Sequence, residues 1–404
     1  MSESALPAAT SAGRRIDELD MLRGFALFGI LVTNVIVATS LWSFQGTREH
    51  PVPTFQGPID NAVIGVVDAL FSGRFYLLFA FLFGYSFTLQ IAAAQRAGAS
   101  ADARLLRRCA ALLAVGLAHV FFLWVGDILT LYAVLCLLLI TMRKMRPRTA
   151  VITGAVLYAV WSLWGFASDT GSDVKGFGEI MDLPAIGDRY LGSFIDTLQI
   201  QLEVAPLFLL LIWFTQGVTS LAMFLLGMAA GKRGLFEDRE TTDRLAPRVL
   251  VLGLGVGLPV SVITFADKVD WLDAPGFWFG IQQLVNPLMT FAYIAGIILL
   301  ARAARTAAAT AWLAPAGRMA ATNYIGQSVV LMVLYTGYGF ALADTIPPAG
   351  VLALALLTYA TQLLLSAWWL TRHRYGPIEW LLRAATYLQR PPWRTPAPAH
   401  ARKE

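Results

Sequence analysis

Charge is what this chain has least of. Of its 404 residues only 14% are Asp, Glu, Lys or Arg, against roughly a quarter in a soluble domain. That scarcity excludes an ordinary water-facing globule of this length. Cysteine is nearly absent. The two present, Cys109 and Cys136, both fall inside apolar runs, so a disulfide framework and a thiolate zinc site are excluded, and both read as small packing residues. No glycine-rich phosphate loop and no dinucleotide fingerprint occurs, and no metal site is expected.

What is present is hydrocarbon. Hydrophobic residues make up 57% of the chain, and many windows approach or exceed the roughly 18 apolar residues that mark a membrane span. The fold class is therefore all-α, a polytopic transmembrane helix bundle of about ten spans. Apolar runs between polar breaks place these near 21–43, 74–94, 106–125, 128–142, 149–167, 216–231, 248–266, 278–301, 317–340 and 350–371. Segments 60–72 and 196–213 read as interfacial or re-entrant helices leading into spans. Residues 1–19 form a polar cytosolic tail, expected to be disordered and without the order of a cleavable signal. The bundle occupies 20–371, and 372–404 supply a cytosolic interfacial helix and tail.

The positions of the charges test this division independently. Alternate connections hold Arg14 and Arg15, then Arg96, Arg104, Arg107 and Arg108, then Arg143 to Arg148, then Lys232 to Arg248, then Arg302 and Arg305. The opposite connections carry few bases and several acids, among them Asp169, Asp173, Asp182 and Asp188. Such an asymmetry predicts both termini in the cytoplasm and an acidic outer loop over roughly 168–197. The net charge of +5 then reflects cytoplasmic connections and a lipid bilayer as partner, with no nucleic-acid partner expected.

Against this background a few polar residues stand out. His119 lies inside the run ALLAVGLAHVFFLWV, with Asp127 eight positions further on. An ionisable group at membrane depth costs roughly 2.5 kcal/mol or more and persists where it has a partner or a wet cavity. Neutral imidazole is a natural general base near neutral pH, while the structural alternative is an interhelical hydrogen bond. Asp127 has two readings that spacing leaves open: a cap on the fourth helix, or a carboxylate that orients His119.

In the first span, LDMLRGFALFGILVTN, Arg23 and Asn34 are eleven positions apart. On a helix that is about 1100° and roughly 16 Å of rise, so they share one face. Arg23 either snorkels to the inner headgroups or binds an oxyanion through its planar fork. Asp20 lies within reach of it as an intrahelical partner. The segment GRMAATNYIGQS holds Arg318, Asn323 and Gln327, with Tyr324 and Ser328 as a parallel pair one turn apart. Amides in a span either glue helices together or line a cavity. Near the C-terminus, Glu379 and Arg383 are four apart and read as an intrahelical ion pair. His50 in the first outer loop is a weaker candidate base, and His373 and His400 fall in the cytosolic tail.

LDMLRGFALFGILVTN, FYLLFAFLFGYSF, GLAHVFFLWVGDILTLYAVL, GRMAATNYIGQS and YGPIEWLLR, in that order across nearly the whole chain, resemble the YeiB-like family of bacterial inner-membrane proteins, long classed as of unknown function. That family is in turn distantly similar to transmembrane acyltransferases, including sugar O-acetyltransferases and the lysosomal heparan glucosaminide acetyltransferase. Those enzymes pass an acyl group from cytosolic acyl-CoA to an acceptor on the far side. Arg23 fits their opening Arg-Gly. The sugar O-acetyltransferases carry a histidine about eleven residues beyond that arginine, whereas this chain has Asn34, so their base is not transferable.

The resemblance implies a multi-pass protein of the bacterial cytoplasmic (inner) membrane. It also implies a membrane acyltransferase using acyl-CoA, acetyl-CoA first among them, as co-substrate, with no tightly bound cofactor. Its acceptor would be a small extracytoplasmic sugar, lipid or metabolite. His119 and Asp127 are then the catalytic pair. Arg23 and Arg318 would hold phosphates, and Asn34, Asn323 and Gln327 would donate to the thioester oxygen. The rival functions are a permease for a small polar solute, in which the same His and Asp relay protons, and a non-enzymatic membrane partner protein.

Overall fold

The computed structural model describes residues 16–43, 55, 57–167 and 183–395. Most of the expected N-terminal tail, His50, His400 and the first half of the acidic loop lie outside the described residues. Among those described, the chain is built of helices, with β-pairing limited to an isolated bridge between His373 and Arg394.

The helices in chain order are α1 (Asp17–Ser43), α2 (Pro58–Leu70), α3 (Phe75–Arg96), α4 (Ala101–Phe122), α5 (Leu129–Met142), α6 (Pro147–Ala167), α7 (Leu183–Tyr190) and α8 (Phe194–Lys232). They continue as α9 (Arg239–Lys268), α10 (Trp278–Arg302), α11 (Ala307–Ala311), α12 (Leu313–Arg318), α13 (Ala320–Tyr335), α14 (Pro348–Arg372) and α15 (Pro377–Tyr387). Among the described residues, eight helical stretches have the length and apolarity to cross a bilayer. Two shorter helices, α5 with 14 residues and α13 with 16, stand where the fourth and ninth spans are expected. The protein is a membrane protein built as an all-helical bundle.

Close approach of backbones organises the centre. Lipid tails are as apolar as the side chains, so helices in a membrane associate by packing, and small residues allow the tightest contacts. At the α3–α8 crossing a Cβ on Gly84 would lie 2.1 Å from Phe224 O, and one on Gly227 would lie 2.0 Å from Phe81 O. At the α1–α12 crossing a Cβ on Gly24 would stand 2.2 Å from Leu313 O, and one on Gly317 only 1.8 Å from Asp20 O. Only glycine fits these positions.

That second crossing corrects the expected ninth span. Residues 317–340 do not form one helix. The chain breaks at Met319 (φ −111°, ψ 33°), and α13 runs only from Ala320 to Tyr335. Gly317 pressed on the α1 backbone fixes the direction of α12, and the chain must turn before it can climb between α4 and α14.

Segment 196–213 also differs from expectation. It continues directly into the 39-residue α8 despite Pro206; prolines are tolerated in membrane helices where neighbouring groups re-satisfy the backbone they free. The acidic loop is shorter than expected, since Leu183–Tyr190 is helical and α8 begins at Phe194. At the N-terminus the helix starts at Asp17, and Leu19 and Asp20 are already buried.

Ion pairs join the helix ends that the charge pattern placed together. Arg302 at the end of α10 meets Glu18 of α1 at 3.6 Å and also Asp243 of α9. Arg143, closing α5, meets Asp102 of α4 at 2.8 Å. At the other end Lys268 pairs with Asp68 at 3.4 Å. The first group marks the basic end of the bundle.

Residues after α14 fold back against it. Arg374 N donates to Trp393 O, Thr395 N to Arg372 O, and the His373 ring stacks on Trp369 at 4.1 Å between centroids. This part of the expected tail is packed structure through Thr395.

Candidate functional site: a buried Ser–His–Asp line

The hairpin between α4 and α5 turns inside the protein. Trp124, Val125, Asp127 and Ile128 are all buried, although a buried turn exposes backbone groups that no helix pairs. Side chains satisfy them. Tyr324 of α13 donates its hydroxyl to Gly126 O at 3.1 Å and accepts from Ile128 N at 3.3 Å. Gln201 of α8 donates to Val120 O at 2.8 Å and is itself held by the Tyr190 hydroxyl of α7. Helices α7 and α8 thus cover the tip.

His119 and Asp127 meet across this turn. His119 Nδ1 and Asp127 Oδ1 are 2.9 Å apart, and the second carboxylate oxygen accepts from Thr130 N at 2.7 Å. The two roles open at the sequence level are therefore both filled, one by each oxygen. Asp127 caps the start of α5 and orients the imidazole. The carboxylate can only accept, so in the neutral ring Nδ1 carries the proton and Nε2 is the acceptor.

On the far side of the ring stands Ser328 of α13, with Oγ 2.8 Å from His119 Nε2. Ser328, His119 and Asp127 form one hydrogen-bonded line, with relative exposures of 1%, 1% and 0%. The Tyr324 ring leans on the imidazole at 5.0 Å between centroids. Several helical hydroxyls in this bundle bond back to their own helix four residues earlier, as Ser86, Ser162, Thr264 and Thr386 do. Ser328 turns its hydroxyl to the imidazole instead. Sequence reasoning named Ser328 only as Tyr324's companion. The signal available was the i, i+4 spacing of two hydroxyls on one helix face, and it lacked the long-range contact that identifies the partner.

The amides take another part. Asn323 donates to Ala316 O at 3.0 Å and to Ser366 Oγ at 2.9 Å. Gln327 donates to Leu27 O at 3.4 Å and Gln362 Oε1 at 3.0 Å. Their N–H groups bind α12, α14 and α1, the contacts expected of amides that hold helices together. Asn34 lies half-buried further along α1, and among the described residues no hydrogen bond joins it to His119.

Arg23 sits nearer the basic end. Its guanidinium donates to Asp20 at 2.8 Å and to Ser86 Oγ of α3 at 2.6 Å, and it remains partly exposed. Arg318 closes α12 next to the Gly317–Asp20 contact, so the two arginines flank one helix crossing. Arg108 of α4 lies within electrostatic range of Arg23 and of Tyr387. Sequence reading counted Arg108 only as a topological charge. Asp20 is the acid bonded to Arg23 among the described residues.

Glu379 and Arg383 are not an ion pair. Glu379 reaches across to accept from Ala321 N at 2.6 Å, Thr322 N at 3.2 Å and Thr322 Oγ1 at 2.6 Å, capping the start of α13. Burial pushes its pKa up, and the Thr322 and Ala321 donors oppose that shift. Arg383 instead lies over the rings of Tyr375 and Tyr387 at 4.5 and 5.4 Å. Arg74, at the head of α3, is fully buried and donates to Ala69 O and to Ser261 Oγ, closing the end of α2.

Fold and site together define a polytopic helical membrane protein with a buried Ser–His–Asp line and a cluster of arginines at one end. The family model described as "Protein of unknown function (DUF418)" matches residues 230–389. The "Uncharacterized protein YxaH" of Bacillus subtilis (strain 168) is 30% identical, covering 94% of this chain and 96% of its own length. The "Uncharacterized 39.9 kDa protein in amylase 3'region" of Bacillus acidopullulyticus is 28% identical over 92% and 94%, and the "Uncharacterized protein YeiB" of Escherichia coli (strain K12) is 24% identical over 91% and 95%. The chain belongs to this YeiB-like family of proteins of unknown function. No solved structure matches it.

Proposed function

We propose that the protein is a transmembrane acyltransferase of the bacterial cytoplasmic membrane, with both termini in the cytoplasm. It takes an acyl group from cytosolic acyl-CoA and passes it to a small extracytoplasmic acceptor, a sugar, lipid or metabolite. The observation that carries this reading is the line Ser328–His119–Asp127, in which a carboxylate fixes the imidazole tautomer and leaves Nε2 facing a hydroxyl at 2.8 Å. That is the arrangement by which acyl-transfer sites generate a nucleophile on many unrelated folds.

The basic end supports the donor side of the reaction. Arg23 and Arg318 lie beside the α1–α12 crossing, and Arg108 lies within electrostatic range of Arg23, which Asp20 holds. Guanidinium forks bind phosphate oxygens in pairs, and CoA presents several.

The test is transfer of labelled acetyl from acetyl-CoA by purified protein in detergent, with a panel of small alcohols, amines and envelope sugars as acceptors. Transfer that falls at least a hundredfold in His119→Gln is expected. Absence of transfer in detergent, together with solute uptake by sealed proteoliposomes, would replace this reading with the permease.

A further inference from the structure

We infer that Ser328 is a covalent acyl carrier, so that transfer proceeds in two displacements through an acyl-serine in the middle of the bundle. This deepens and rests on the acyltransferase reading. The tautomer argument supplies the first support: with Nδ1–H held by Asp127, His119 has one basic nitrogen, and Ser328 Oγ already occupies it at 2.8 Å. An acceptor hydroxyl cannot reach Nε2 while the serine holds that place. The group the imidazole is built to deprotonate is the serine itself.

Ser328 is also not needed to satisfy the buried turn. Tyr324, Gln201 and the Asp127–Thr130 bond do that without it. Its hydroxyl is directed to the ring at 2.8 Å rather than to its own helix, where Ser86, Ser162 and Thr264 place theirs. Geometry on both sides of the ring is therefore that of an activated nucleophile.

The steps balance without an oxidant or a metal. In the first, Oγ bonds to the thioester carbonyl carbon and its proton passes to His119 Nε2. The C–S bond then breaks, and the leaving thiolate takes that proton and departs as free thiol. In the second, the acceptor O–H or N–H gives its proton to Nε2 and its heteroatom bonds to the ester carbon. The C–Oγ bond breaks, and Oγ recovers the proton.

Two probes test this on the full chain in detergent. With labelled acetyl-CoA and no acceptor, wild type should retain hydroxylamine-sensitive label on the peptide containing Ser328. With a fluorophosphonate, which captures activated serines, it should be modified at the same residue. Both signals should vanish in Ser328→Ala and fall at least tenfold in His119→Gln. Ser328→Cys, which keeps a small nucleophile, should capture acetyl as a thioester and so separates loss of chemistry from loss of fold.

Acetyl transfer that persists in Ser328→Ala within about threefold of wild type, with no label on the wild-type serine, would overturn the carrier and leave the acyltransferase standing. Fluorophosphonate capture at Ser328 without any transfer from acyl-CoA would keep the activated serine and remove that donor. Neither capture nor transfer would remove both.

Discussion

Gln327 and Ser328 are adjacent on α13 yet address different helices. The Gln327 amide binds Leu27 O on α1 and Gln362 on α14, while the Ser328 hydroxyl meets His119 on α4 at 2.8 Å. Leu27 lies one turn beyond Arg23, about 6 Å along α1. The same two residues of α13 therefore connect the arginine-bearing helix to the helix that carries the imidazole.

That junction can be measured. Gln327→Leu and Gln362→Leu should each lower stability modestly, and the double variant should lose less than the sum, with a coupling of about 0.6 kcal/mol as for interhelical bonds in membranes. Thermal unfolding of the four proteins of the cycle in one detergent reads the coupling; strict additivity would show that the two amides do not support each other.

Asp127→Asn should separate orientation from capping. The amide can still accept from Thr130 N, so unfolding should shift little, whereas the imidazole loses its carboxylate and transfer should drop roughly a thousandfold or more. His119→Ala is harsher, because it strands a buried carboxylate and should cost about 3–5 kcal/mol of stability. Parallel rate and melting measurements distinguish the two variants.

Arg23 should act on the donor alone. Arg23→Ala removes a fork held by Asp20 and Ser86 and is expected to raise KM for acyl-CoA by roughly tenfold, the equivalent of one charge-assisted hydrogen bond, with little change in KM for the acceptor. Arg23→Lys should recover charge but not the paired geometry. Equal effects on both substrates would argue against a phosphate contact.

The α1–α12 crossing should tolerate no side chain at Gly317. A Cβ there lies 1.8 Å from Asp20 O, and Gly317→Ala should cost about 1–3 kcal/mol through forced separation of the helices. Gly255→Ala is the control, since a Cβ on that α9 glycine meets nothing within 4 Å. Helix propensity alone should stabilise that variant by up to about 1 kcal/mol. Melting temperatures that move in opposite directions check the pair.

Glu379 gives a pH dependence with a defined sign. Burial raises its pKa above the ordinary 4.5, so the folded state holds a proton more tightly than the unfolded one. Its stabilising contribution is fully present below 4.5 and is lost as pH rises through the raised value. Wild type should therefore lose stability relative to Glu379→Gln as pH increases across that window. A difference that grows in wild type's favour on raising the pH would mean that the Ala321 and Thr322 donors outweigh burial.

The helical bundle was legible in the sequence because hydrocarbon runs and arginine positions report the same alternation. Arg302 with Glu18 and Arg143 with Asp102 join ends that the charge pattern had grouped. The break at Met319 was hidden, since it comes from a backbone contact between Gly317 and Asp20 that no local pattern encodes. At the site, His119 and Asp127 were visible as ionisable groups in an apolar setting. Ser328 was not, because a helical serine is ordinary until its partner from another helix is known. Glu379 was misread for the opposite reason: a favourable local pairing with Arg383 lost to a cap on α13.

Helix α5 starts two residues after Asp127 and is only 14 residues long, so it rises about 21 Å from the basic face to the base of the hairpin tip. A hydrocarbon layer is about 30 Å thick. Cargo that reached the tip from the basic face would have completed roughly two thirds of the crossing before any second reaction, with α7 and α8 covering the tip beyond it. Under the proposed transfer, such a placement would make the passage vectorial without a channel: the long leg would be travelled by the bound donor, and the short one by the released product.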